Sequence, residues 1–247
     1  MTGGLVGVLL AKYNFRLPWL IAGIGTIVCA VFSFKLLKEE YFQRNKFSWQ
    51  ESCRGVKKIF VTSIKVGYRN KSIWTLIVLA TLLTVAFQPL NMNWQPYFKD
   101  NLGLEVVGLA WVGITLFQLF GSVLAGWLMK KTSEAVVINW GILLISIFVL
   151  IMALVPNAWL VFSLFCLHEV GRGIFNPVSK TYLHDRIDSQ NRATISSFQS
   201  MIMKLGAGFG WLMSGILSDQ ISVQKTWLIA GVIIFIVYVF SFKLKKI

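Results

Sequence analysis

EAVVINWGILLISIFVLIMALVPNAWLVFSLFCLHEVGRGIFNPVSK, residues 134–180, holds two apolar runs, 135–155 and 158–180, parted only by a turn at Val155-Pro156-Asn157. A bilayer hydrocarbon core about 30 Å thick is crossed by about 20 mostly apolar residues at 1.5 Å rise each. Each run has the length of one crossing, and the short turn sends the chain straight back. Working outward, five more stretches reach that length: 17–37, 72–95, 105–129, 193–218 and 224–242. Residues 1–11 are apolar but too short to span, and they read as the end of a helix that begins upstream. The predicted fold is all-α, a polytopic transmembrane bundle of one partial and seven complete helices.

Composition agrees with this reading. The 247 residues are 56% hydrophobic and 14% charged, with a mean hydropathy of +0.68, where a soluble domain carries about a quarter charged residues. The formal net charge of +14 is the kind of excess that can mark a nucleic-acid partner. Here the basic residues flank apolar segments, so membrane topology accounts for them and no nucleic acid is expected. Cys29, Cys53 and Cys166 are odd in number, widely spaced and form no CxxC pair. Neither a disulfide framework nor a metal site follows from them, and no cofactor is expected.

The loops give orientation. Residues 35–71 hold ten Lys or Arg, whereas 96–104 hold one. Lys130-Lys131 comes next, then no basic residue around Val155-Pro156-Asn157, then Lys180, Arg186 and Arg192. Lys225 stands alone before Lys243, Lys245 and Lys246. Basic and nearly neutral loops alternate, as the positive-inside rule requires. The expected protein is an integral, multi-pass protein of a plasma or inner cell membrane, with a cytoplasmic C-terminus. Lys12 and Arg16 are the exception, falling on the predicted outer side. Within the long loop, Trp49, Cys53, Val56, Phe60 and Ile64 repeat at helical spacing beside Arg54, Lys57, Lys58 and Lys65. That pattern predicts a basic amphipathic helix lying on an anionic lipid surface.

One partial and one complete helix, a long basic loop, then six helices with short loops: this order resembles the major facilitator superfamily, whose members join two six-helix halves through a long cytoplasmic loop. On that map, residues 1–37 are the end of the N-terminal half (partial helix five and helix six). Residues 38–71 are the central loop, and 72–247 are the C-terminal six-helix half. Leu17-Pro18-Trp19, leading to Leu36-Leu37-Lys38-Glu39-Glu40, is similar to the family's sixth helix. Glu169-Val170-Gly171-Arg172-Gly173-Ile174-Phe175-Asn176-Pro177 resembles a tenth-helix pattern of drug-efflux-like members. The family's G-x-L-x-D-R-x-G-R loop reads here Gly126-Trp127-Leu128-Met129-Lys130-Lys131-Thr132, with its Asp and second Gly replaced. The resemblance implies a secondary transporter moving a small-molecule solute by alternating access, with proton-coupled efflux as the finer reading. It also implies a missing N-terminal half, needed for a complete pathway.

Charges inside a span cost free energy and are functional candidates by default. Glu169 and Arg172, at i and i+3, share a helix face and can pair. Glu169 is the candidate for proton coupling. Burial favours a neutral carboxyl and a neighbouring arginine an ionised one, so a coupling carboxylate and a structural ion pair both remain open. Lys204 sits deep in its span and reads as a pathway residue or a snorkelling one. His168 reads as a packing histidine, with a proton relay as the sharper alternative. Gln88, Asn91 and Gln118 suit a hydrogen-bonding pathway wall, whereas Asn93 and Gln95 read as wet residues near the outer end. Trp94, Trp111, Phe87 and Phe117 are aromatics that could stack on a solute. Gly206 and Gly210 form a small-xxx-small pair for helix packing. His184, Asp185 and Asp188 read as loop hydrogen bonding and helix capping, which leaves no recognisable catalytic cluster and no expected enzyme activity. A membrane-embedded lipid-modifying enzyme and a non-transporting membrane partner or scaffold half are the alternatives.

Overall fold

The structure, a computed structural model, describes residues 2–36, 48, 49, 54, 55, 61 and 70–244. The surface helix expected between Trp49 and Ile64 lies outside the described residues except at Trp49, Arg54, Gly55 and Val61. Lys245 and Lys246 lie outside them too.

Eight helices are described: α1 (Thr2–Tyr13), α2 (Leu17–Leu36), α3 (Lys71–Leu102), α4 (Leu104–Met129), α5 (Glu134–Leu154), α6 (Ala158–His184), α7 (Ser189–Ile221) and α8 (Val223–Ser241). Among the described residues, seven of them, α2 to α8, are long and apolar enough to cross a membrane. Helix α3 runs on through Pro96 to Leu102, and α7 begins at Ser189, both beyond the apolar runs that define the spans. The polar ends add helical turns without adding hydrophobic length.

The ends are set by local chemistry. Asn70 accepts from the backbone N–H groups of Ser72 and Ile73 and caps α3. Asn157 does the same for α6 through Trp159 and Leu160, which is how three residues suffice to turn the chain after α5. Gly103, at φ 96, joins α3 to α4 in a conformation that favours glycine. Ser222, at φ 109, joins α7 to α8 and caps α8 through Lys225 N–H. Asp188 stands at the N-cap position of α7, but its side chain makes no capping hydrogen bond. The capping role expected of it is therefore not filled.

Helix α6 packs on α5, α4 and α3, while α8 packs on α5 and α3, and α7 packs mainly on α3. Glycines set the closest approaches. A methyl group on Gly171 would lie 2.6 Å from the Gly141 carbonyl of α5. On Gly173 it would strike the Gln118 carbonyl of α4, and on Gly121 the Val170 carbonyl of α6. Such contacts let backbones meet where lipid supplies no hydrophobic drive for association. On α7, a methyl on Gly210 would lie 2.7 Å from the Val85 carbonyl of α3. Pro89 has no N–H to offer that carbonyl, so α7 approaches α3 where its ladder is open. Gly206 faces Thr81 and Val85 one turn away.

Helix α1 lies on α4, with Gly4 against Trp111 and an ion pair between Lys12 and Glu105. That pair gives Lys12, an exception to the loop charge pattern, a local partner. Helix α2 buries none of its residues among the described elements.

Candidate functional site

Three helices converge on one buried ion pair. Glu169, near the middle of α6, is 1% exposed. Gln118 of α4 donates from Nε2 to Glu169 Oε2 at 2.7 Å. Arg172, one turn along α6, donates from Nη1 to Glu169 Oε1 at 2.9 Å. The same Nη1 donates to Asn91 Oδ1 of α3 at 3.3 Å, and the guanidinium lies 4.7 Å above the Phe87 ring. A buried carboxylate needs a cation and further donors to offset its desolvation; α6 supplies the cation and α4 the donor, while Asn91 of α3 holds the arginine.

His168 is fully buried beside the pair. Its Nδ1 contacts the Phe165 carbonyl, and its Nε2 lies 3.4 Å from Glu169 Oε1. Among the described residues that Nε2 has no hydrogen-bond partner. The imidazole therefore faces the carboxylate instead of lying about 100° away from it, as helical spacing alone predicts.

Asn91 connects this cluster to open space. It lines, with Gln88, Met92 and Trp211, a groove of about 340 Å³ between α3 and α7. Gln88 is itself buried, and its Nε2 donates to the Thr84 carbonyl at 2.8 Å. Hydrogen bonds link Asn91 to Arg172, Arg172 to Glu169 and Glu169 to the half-buried Gln118. Lys204 is not brought to this cluster. It stands on the exposed side of α7 beside Ser196, Ser197 and Ser200.

Two readings change with the structure. Asn93 is 7% exposed, not wet, and bridges helices: its Nδ2 donates to Ser214 Oγ at 3.1 Å and Ser218 Oγ at 2.9 Å on α7. Its partners lie more than a hundred positions away, so no local pattern could have flagged it. Replacing Asn93 by leucine is expected to cost about 1 kcal/mol, the scale of interhelical hydrogen bonds in membranes, read as a lower melting temperature in detergent. Trp94 is 5% exposed and packs edge-on to Trp111 and stacked on Phe165. It is part of the packed interior, not an open platform for a solute.

The order of helices along the chain matches a known family. The sequence profile of the Major Facilitator Superfamily matches residues 1–134 and again 90–246. The chain belongs to the Major Facilitator Superfamily. Multidrug resistance protein MdtH of Salmonella arizonae is 25% identical over 245 residues, covering 96% of this chain and 57% of the relative. MdtH of Citrobacter koseri is 25% identical over 242 residues, covering 94% and 57%. The chain thus spans little more than half the length of these curated relatives. Among solved structures, the E. coli fucose:proton symporter FucP superposes with a TM-score of 0.68 at 16% identity, covering 97% of this chain and 58% of that one. A bacterial homologue of the human lysosomal transporter Spinster, in an inward-facing conformation, gives 0.63 at 13% identity, covering 98% and 64%. At such identities the structural likeness speaks for the superfamily fold alone. In that fold, substrate sites lie near the bilayer midplane at the interface of the repeats, and Gln118 and Glu169 both stand near the middle of their helices.

Proposed function

We propose that this chain forms one wall of the pathway of a secondary active transporter that moves small molecules by alternating access, with proton-coupled efflux as its mode. On this reading residues 72–247 are the C-terminal half and 38–71 the cytoplasmic link. The facing wall comes from an N-terminal half of which residues 1–37 are the end. The observation that carries the reading is the buried Glu169 carboxylate at mid-bundle, joined through Arg172 to Asn91 at the edge of an open groove. An acid held by a movable cation can exchange that cation for a proton when the helices shift. Gln88, Asn91 and Gln118 supply amides along the same wall, and Lys204 a cation on α7. The relatives named as multidrug resistance proteins support an efflux substrate class of organic amphiphiles.

The test is flux in proteoliposomes made with the full product of the gene. An imposed proton gradient should drive uptake or release of an organic amphiphile. Glu169→Gln, which keeps size and the Gln118 contact, should bring proton-driven flux, compared at equal amounts of folded protein, down to that of empty liposomes. Unchanged pH dependence removes Glu169 from the mechanism. Absence of flux together with turnover of a lipid substrate overturns the transporter reading in favour of an enzyme.

A further inference from the structure

On the side of α3 away from Arg172's partner Asn91, a second groove of about 310 Å³ runs between α3 and α8. Its α3 wall is Trp74, Thr75, Val78, Leu79 and Leu82, and its other wall is Phe240 of α8 with Lys243 just past the helix end. Leu79 is 2% exposed and forms the floor. Trp74, Val78, Leu82 and Phe240 are all between 39% and 46% exposed and form the rims. Among the described residues, Lys243 is the only charged one lining the groove, and it stands at one end with its Nζ 4.8 Å from the Phe240 ring. Among the described residues no carboxylate pairs with it.

That end is the basic end of the bundle, shared with Lys71, Lys130, Lys131, Lys180, Arg186 and Arg192. The rest of the outward face of α8 is Ile229, Val232, Phe235, Ile236 and Val239, all exposed and apolar. A face of that composition contacts acyl chains. The α3 wall from Trp74 to Leu82 is about 12 Å long at 1.5 Å per residue. One leaflet contributes about 15 Å to a hydrocarbon core about 30 Å thick. The groove is thus an apolar slot of leaflet depth, closed at its interfacial end by a cation and an indole.

We propose that this groove binds one anionic phospholipid, its acyl chain between Val78, Leu82 and Phe240 and its headgroup phosphate on Lys243. Basic pockets between transmembrane helices recognise anionic headgroups, and one lysine near a membrane surface contributes about a five-fold preference. The site is independent of the Glu169 pathway and its outcome leaves the transport reading untouched.

Native mass spectrometry of the delipidated full-length chain decides it, with equimolar phosphatidylglycerol and phosphatidylcholine of the same acyl chains. The unmodified protein should retain the first phosphatidylglycerol over phosphatidylcholine by about five-fold. Lys243→Gln should bring that ratio to near one and Lys243→Arg should keep it. Leu82→Trp, which fills the slot from an exposed position, should lower retention of both lipids. Equal retention by the unmodified protein, or a ratio unchanged in Lys243→Gln, overturns the headgroup assignment. Retention unchanged in Leu82→Trp overturns the acyl-chain assignment.

Discussion

Replacing Arg172 with leucine is expected to cost about 3–5 kcal/mol, the penalty for leaving one member of a buried ion pair without its partner. Glu169 is 1% exposed and would keep only Gln118 as a hydrogen-bond donor. The Arg172 side chain is 20% exposed, so solvent screens the pair little. The expected readout is a steep fall in melting temperature and in folded yield from detergent extracts. The double variant Glu169→Gln/Arg172→Leu should recover most of the loss, because a neutral amide in the same place has no charge to compensate. A double-mutant cycle should therefore show strong positive coupling, toward the upper end of the roughly 0.5–3 kcal/mol found for residues in direct contact. Additive losses would mean that the two side chains contribute separately. The stability result is independent of whether Glu169 carries protons, since it tests only how the carboxylate is held.

Gly173→Ala is the second large effect. In an isolated helix, alanine is better than glycine by about 1 kcal/mol, so propensity alone predicts a more stable protein. The structure predicts the reverse. An added methyl at Gly173 would strike the Gln118 carbonyl, and the facing Gly121 meets the Val170 carbonyl in the same way. Overpacking typically costs about 1–3 kcal/mol when side chains can adjust. Here the obstacle is backbone, so a loss of about 3 kcal/mol or more is expected. The displaced part of α4 carries Gln118, so the bond to Glu169 should be lost with it. Gly126→Ala on α4 has nothing within 4 Å of the added methyl among the described residues and should show no loss. Equal melting temperatures for the two variants would refute the close approach of α4 and α6.

Much of this was legible in the residue order. Seven apolar runs of bilayer length fixed seven helices, because lipid admits no other backbone solution for a single span. Glu169 and Arg172 at i and i+3 announced a shared face, and Gly206-x-x-x-Gly210 announced a close approach. The alternation of basic loops placed Lys71, Lys130, Lys180 and Lys243 at one end before any coordinates. What could not be read were relations between residues far apart in the chain. Lys12 with Glu105, Asn93 with Ser214 and Ser218, and Gln118 with Glu169 are pairs whose members carry no mark of one another.

The sequence by itself determined the helices, their number and the face that Glu169 shares with Arg172, since hydrophobic length and helical period are local properties. The tertiary structure alone decided which third and fourth residues meet that pair. It also decided that Asn93 and Trp94 are interior, that Lys204 stands apart, and that Lys243 closes a slot beside Trp74. Those outcomes depend on which helices touch and at what rotation, and in a bundle that is settled by where glycines and open carbonyls let two backbones approach.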